Sequence, residues 1–86
     1  METGLYIKNM QIKVLIFGQL TDITGNSEIF LKDISDSNTL IKALHEKYPE
    51  LANSKYAVAL DKLIIKENTV LEDNSIIALL PPFSGG

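Results

Sequence analysis

Cysteine is absent from the 86 residues of this chain. That excludes disulfides, thiolate metal sites and thiol nucleophiles of its own. Any sulfur the chain handles must sit on something other than a cysteine side chain. The absence accords with a cytoplasmic setting. Arginine is missing as well: all eight basic residues are lysines, scattered along the sequence. Arginine is the usual bidentate reader of phosphates and guanines, so no nucleic acid is expected as a partner. At a net charge of −3 the mildly acidic surface favours a basic protein instead. No apolar run approaches the ~20 residues that span a bilayer, so no membrane partner is expected. The opening Met1-Glu2-Thr3-Gly4-Leu5 lacks the basic and apolar stretches of a signal peptide. Walker-type phosphate loops, G-x-G-x-x-G and H-E-x-x-H patterns do not occur.

What is present is concentrated at the end, Pro81-Pro82-Phe83-Ser84-Gly85-Gly86. Proline has no N–H, so Pro81 and Pro82 stop sheet pairing after the apolar run to Leu80. A proline pair favours an extended backbone that sheds little entropy on docking. Gly85 and Gly86 add no side chains, only a slender backbone and a carboxylate. The tail reads as a semi-rigid stalk with a narrow tip, suited to entering another protein's active site. A frayed terminus is the plainer alternative.

The rest reads as one small domain with a single core. Residues 1–9 form an N-terminal extension, and Met10 offers an alternative start. Residues 10–80 form the domain and 81–86 the tail. Gln11 to Phe17 is a strand, apolar on both faces (Ile12, Val14 and Ile16; Leu15 and Phe17), as expected inside a sheet. Gly18 to Asn26 is a connection with one helical turn at 19–23 and a turn at Gly25-Asn26. Ser27 to Lys32 is a second strand. Asp36 or Ser37 caps a helix whose Leu40, Ile41, Leu44 and Tyr48 form one buried stripe, with Lys42, His45 and Glu46 pointing away and Pro49 as the stop. Tyr56 to Leu60 and Lys62 to Lys66 are short strands around Asp61. Glu72-Asp73-Asn74 is a turn and Ser75 to Leu80 the last strand. The expected fold is α+β: a mixed four- to five-stranded sheet with one main helix across one face, first and last strands side by side. This is the ubiquitin-like β-grasp arrangement.

Few residues outside the tail point to chemistry. His45, the only histidine, would be needed for a serine–histidine–aspartate triad; its position on the polar helix face reads as an exposed surface residue. Glu67, Glu72 and Asp73 lack the spacing of a calcium loop and read as solvated turn residues. Phe83 lies where it cannot easily pack back on the core and reads as an anchor for a partner's pocket.

Met10-Gln11-Ile12-Lys13-Val14-Leu15-Ile16-Phe17-Gly18-Gln19-Leu20 with Thr24-Gly25, the helix residues Leu40, Leu44, Tyr48 and Pro49, Leu71-Glu72-Asp73 with Ile76-Ile77-Ala78, and the terminal Pro81-Pro82-Phe83-Ser84-Gly85-Gly86 resemble the molybdopterin synthase small subunit family. The resemblance covers residues 10–86. Its most specific motif is Pro-Pro-x-Ser/Thr/Ala-Gly-Gly at the terminus. The sequence departs from the family at Thr21, where arginine is common, at Leu79-Leu80, where an aromatic pair is frequent, and at Asn74, where a glycine is usual. Asparagine also tolerates the left-handed conformation, so the turn is expected to survive.

The resemblance implies a sulfur carrier that is no enzyme on its own and binds no cofactor or metal. An E1-like adenylyltransferase uses ATP to adenylate the carboxylate of Gly86, the reactive position. A sulfur donor protein converts the acyl-adenylate to a thiocarboxylate. Residues Pro81, Pro82, Phe83, Ser84, Gly85 and Gly86 enter the large subunit, in a heterotetramer of two small and two large subunits. The sulfur then goes to the dithiolene of molybdopterin, in molybdenum cofactor biosynthesis. The alternatives are a carrier for thiamin or tRNA thiolation, against which the Pro-Pro-Phe stalk argues, and a β-grasp interaction module whose tail is never activated.

Overall fold

The computed structural model describes residues 10–82; the expected extension at 1–9 and the positions 83–86 lie outside them. Strand β1 (Gln11–Ile16) leads through a 3-10 turn (Gly18–Leu20) and a single helical turn, α1 (Thr21–Thr24), into β2 (Glu28–Lys32). The main helix α2 (Ser37–Lys47) follows, then a second 3-10 turn (Pro49–Asn53), β3 (Ala57–Leu60), β4 (Leu63–Ile65) and β5 (Ile76–Leu80). The five strands form one mixed sheet in the order β2-β1-β5-β3-β4. β1 and β5 run parallel, with Val14 opposite Ile77 and Ile16 opposite Leu79, while every other pairing is antiparallel. The first and last strands thus lie side by side inside the sheet, as their apolar character predicts.

Strand alternation decides which side chains meet the helix. Ile12, Val14 and Ile16 of β1 and Ile77 and Leu79 of β5 turn to one face, where Leu40 and Leu44 of α2 join them in a single core. Ile41 and Tyr48 pack at its margin, completing the predicted stripe. Leu51, in the second 3-10 turn, is fully buried in the same core. That turn was not foreseen. Pro49 stops α2, as expected, and then occupies the first position of a new turn, where its missing N–H costs nothing.

The cap of α2 is Asp36 rather than Ser37. Its extended backbone (φ −148°) lets the carboxylate accept the Thr39 N–H at 3.1 Å and the Thr39 hydroxyl at 2.8 Å. These bonds, the hydroxyl's foremost, hold the Asp36 carboxyl below its ordinary pKa. Asn68 closes the same helix end, its side-chain oxygen accepting the Asn38 N–H at 2.8 Å. Asn74 adopts the left-handed conformation expected of it (φ 71°) and donates its N–H to Gln11 at 2.8 Å. Asp73 accepts the Gln11 N–H in return, also at 2.8 Å. The turn before β5 is thereby pinned to the start of β1, which fixes the register of the strand that carries the tail.

Candidate functional site at the end of the last strand

The tail leaves the sheet at an interior strand. Leu80 is the last paired residue of β5, opposite Ala57 of β3. Pro81 is half-buried and Pro82 exposed. Pro81, read from the sequence as the root of a semi-rigid stalk, thus packs in part on the domain. Its ring lies against Gly18, the residue that turns the chain after β1 in a left-handed conformation (φ 59°). Pro82 forms one wall of a notch of about 330 Å³ whose other walls are Gln19, Leu20 and Ile23 on one side and Ser54 and Lys55 on the other. Phe83, Ser84, Gly85 and Gly86 lie outside the described residues.

Beside this exit is the sheet face that α2 does not cover. Leu15 and Phe17 of the first strand region, Ala59, Ile64, and Ile76, Ala78 and Leu80 of β5 line a groove of about 470 Å³. Much of it is open: Phe17 is 44% exposed, Ile64 52% and Ile76 39%. Clustered exposed apolar side chains of this kind mark interaction surfaces. The charges lie at the edges. Asp61 and Lys62 occupy the two-residue turn between β3 and β4, both with positive φ, as a twist-matched hairpin turn requires. At the far end Lys13 pairs with Glu28 at 3.5 Å and sits 5.9 Å from the centre of the Phe30 ring.

The groove is a candidate docking surface that sequence reasoning missed. The signal was available, since Leu15 and Phe17 were read as apolar on a second face. That pattern has two causes, burial between two layers or exposure to a partner. Among the described residues only one layer packs on the sheet, and it leaves this second face open.

Two other candidates resolve differently. His45 is not the exposed residue the helix pattern predicts. It is half-buried, and its Nε2 shares a hydrogen bond with the Tyr56 hydroxyl, their rings meeting edge to face with centroids 6.1 Å apart. The segment ahead of β3 passes over this face of α2, which helical periodicity alone does not reveal. Burial pushes the Tyr56 hydroxyl above its ordinary pKa. A tyrosine in this place orients the imidazole structurally and supplies no triad. Glu67, Glu72 and Asp73 are exposed turn residues, as expected. Among the described residues no three histidine or carboxylate side chains gather closely enough to hold a metal ion. No described helix is long and apolar enough to cross a membrane.

Known proteins resemble this chain in both sequence and fold. The model of the ThiS family matches residues 14–86. A molybdopterin synthase sulfur carrier subunit from Dictyostelium discoideum is 31% identical, the match covering 88% of this chain and 96% of that protein. Among solved structures, the complex of subunits 1 and 2 of molybdopterin-converting factor from Helicobacter pylori contains a chain 34% identical to this one. It superposes with a TM-score of 0.72 over 90% of this chain and 100% of that one. Small archaeal modifier protein 1 from Methanosarcina acetivorans, 25% identical, superposes with a TM-score of 0.76 over 90% of this chain and 97% of its own. A ubiquitin-like β-grasp sheet, a proline-rooted strand end and a family match that reaches Gly86 lead to one conclusion: this chain belongs to the ThiS family.

Proposed function

We propose that the chain is the sulfur carrier subunit of a molybdopterin synthase. The observation that carries the reading is the adjacency of two features. An open apolar face offers a docking surface, and the strand that contributes Ile76, Ala78 and Leu80 to it runs directly into the Pro81-Pro82 root of a glycine-ended tail. A partner seated on that face has the tail within reach. The six residues 81–86, at ~3.3–3.6 Å each when extended, reach roughly 20 Å beyond the sheet. Glycine at the last two positions puts no Cβ beside the reacting carbonyl and lets the backbone pass a narrow channel.

The chemistry follows from the weakness of a carboxylate as an electrophile. An oxygen of the Gly86 carboxylate attacks the α-phosphorus of ATP on an adenylyltransferase, and pyrophosphate leaves. A sulfur nucleophile at the oxidation level of sulfide, supplied by a donor protein, then attacks the acyl carbon. AMP departs with the former carboxylate oxygen, leaving a thiocarboxylate. On the large subunit that sulfur forms a C–S bond to the molybdopterin precursor and displaces an oxygen substituent from it. Water then cleaves the acyl–sulfur bond and restores the Gly86 carboxylate, so the dithiolene gains one sulfur from each carrier molecule. This chain contributes docking, reach and the acyl carbon, and the large subunit contributes the catalytic side chains. The Helicobacter pylori complex, in which subunit 1 is held with subunit 2, supports the large subunit as the partner. We extend the reading to a heterotetramer of two small and two large subunits.

The test is intact mass spectrometry after incubation with ATP, the adenylyltransferase and a sulfur source. The reading expects a gain equal to the difference between sulfur and oxygen, located on Gly86. An unchanged mass under conditions that modify a known carrier favours an interaction module that is never activated.

A further inference from the structure

We propose that Gly18 is a positioning residue: its contact with Pro81 sets the direction in which the tail leaves the sheet. The geometry of this seat is independent of the sulfur-carrier reading, while its effect on delivery of Gly86 rests on that reading.

Pro81 is the first residue beyond the strand ladder and has no N–H to donate, so packing must orient it. The packing partner is a bare backbone. A Cβ placed on Gly18 would lie 2.8 Å from Cγ of Pro81, 3.6 Å from Cδ and 3.8 Å from Cβ. The first distance is far inside van der Waals contact. A flexible side chain would swing aside, but a pyrrolidine ring is tied to its own backbone at both ends. A change of ring pucker shifts Cγ but leaves Cδ and Cβ facing Gly18, so the chain at Pro81 is expected to shift with it.

Gly18 cannot easily yield instead. The Phe17 N–H donates to the Leu79 carbonyl at 3.2 Å, and the Gly18 carbonyl accepts the Thr21 hydroxyl at 2.8 Å. Both sides of the contact are thus anchored in adjacent parallel strands. Five residues follow Pro81, each adding up to ~3.3–3.6 Å, so a small rotation at the root is amplified at the tip.

The molecule contains its own control. Gly25 is also left-handed (φ 74°), but a Cβ there meets nothing within 4 Å. Gly25→Ala imposes a similar backbone strain with no clash, and Gly18→Ala imposes both.

Because the chain has no cysteine, spin labels at Ser84→Cys and Lys47→Cys report the tail direction by pulsed electron paramagnetic resonance. Gly18→Ala is expected to move the centre of the distance distribution and Gly25→Ala to leave it in place, with both variants losing melting temperature. With the ring removed by Pro81→Ala, adding Gly18→Ala is expected to cause no further shift. This double variant also lacks the clash, so it keeps the test open if Gly18→Ala alone does not fold. In the thiocarboxylation assay Gly18→Ala is expected to lower kcat/KM about tenfold or more, since misplacement by about 1 Å can cost a hundredfold, and Gly25→Ala to leave it unchanged. An unmoved distribution in Gly18→Ala, an equal shift in Gly25→Ala, or an undiminished shift in the Pro81→Ala background overturns the proposal. Failure of the unmodified chain to form a thiocarboxylate overturns the sulfur-carrier reading and leaves the seat to be judged on the distances.

Discussion

Replacing Phe17 by alanine tests whether the open sheet face is the docking surface. Phe17 lines the groove and is 44% exposed. An aromatic side chain presents roughly 200 Å², so about 90 Å² remains for a partner to cover. At about 25 cal/mol per Å² that is about 2 kcal/mol of association free energy, or about thirtyfold in Kd. The figure assumes that the partner covers the whole exposed part, so a loss between about fivefold and about thirtyfold fits the account. Titration calorimetry of both forms against the large subunit measures it, and a melting curve shows that the variant is folded. Affinity unchanged within about twofold would refute the placement of the interface and move the binding energy to the tail.

Leu44→Ala removes a fully buried side chain from the centre of the core and is expected to cost about 2–5 kcal/mol in urea unfolding. His45→Ala forfeits the hydrogen bond to the Tyr56 hydroxyl and is expected to cost about 1 kcal/mol, without loss of carrier activity. Asp36→Ala removes the α2 cap and is expected to cost about 1 kcal/mol at neutral pH. The Asp36 carboxyl is depressed in the folded state, chiefly by the Thr39 hydroxyl bond. Its contribution is therefore complete above the unfolded carboxylate pKa of about 3.9 and is lost as pH falls through the lower folded value. The stability gap between the native chain and Asp36→Ala should close in acid, and a gap that stays constant on acidification would contradict the assignment.

Alternation and capping made most of the fold legible. Gln11 to Phe17 and Ser75 to Leu80 read as central neighbours because both are strongly apolar, the first on both its faces; their parallel direction comes from the structure. Asp36 or Ser37 marked the helix start because a short polar side chain satisfies a free N–H there, and the bond to Thr39 selects Asp36. What stayed hidden depends on contacts between distant segments. His45 lies 11 positions from Tyr56, and no local period signals their bond. Gly18 and Pro81 meet only because β1 and β5 are adjacent and parallel. The open groove escaped notice for a different reason: the sequence showed that Leu15 and Phe17 are apolar but not that, among the described residues, no second layer covers them.

The central claim is that Gly86 carries sulfur to molybdopterin, and transfer of labelled sulfur tests it most directly. The chain is charged with sulfur-35 by the adenylyltransferase and donor, mixed with the large subunit and precursor, and compared with a chain lacking Gly86. The account predicts label on Gly86 and then in the dithiolene for the full chain. It predicts none for the shortened one, whose melting temperature should be nearly unchanged because the deletion lies beyond the last strand. Labelled molybdopterin formed by the chain without Gly86 would contradict it.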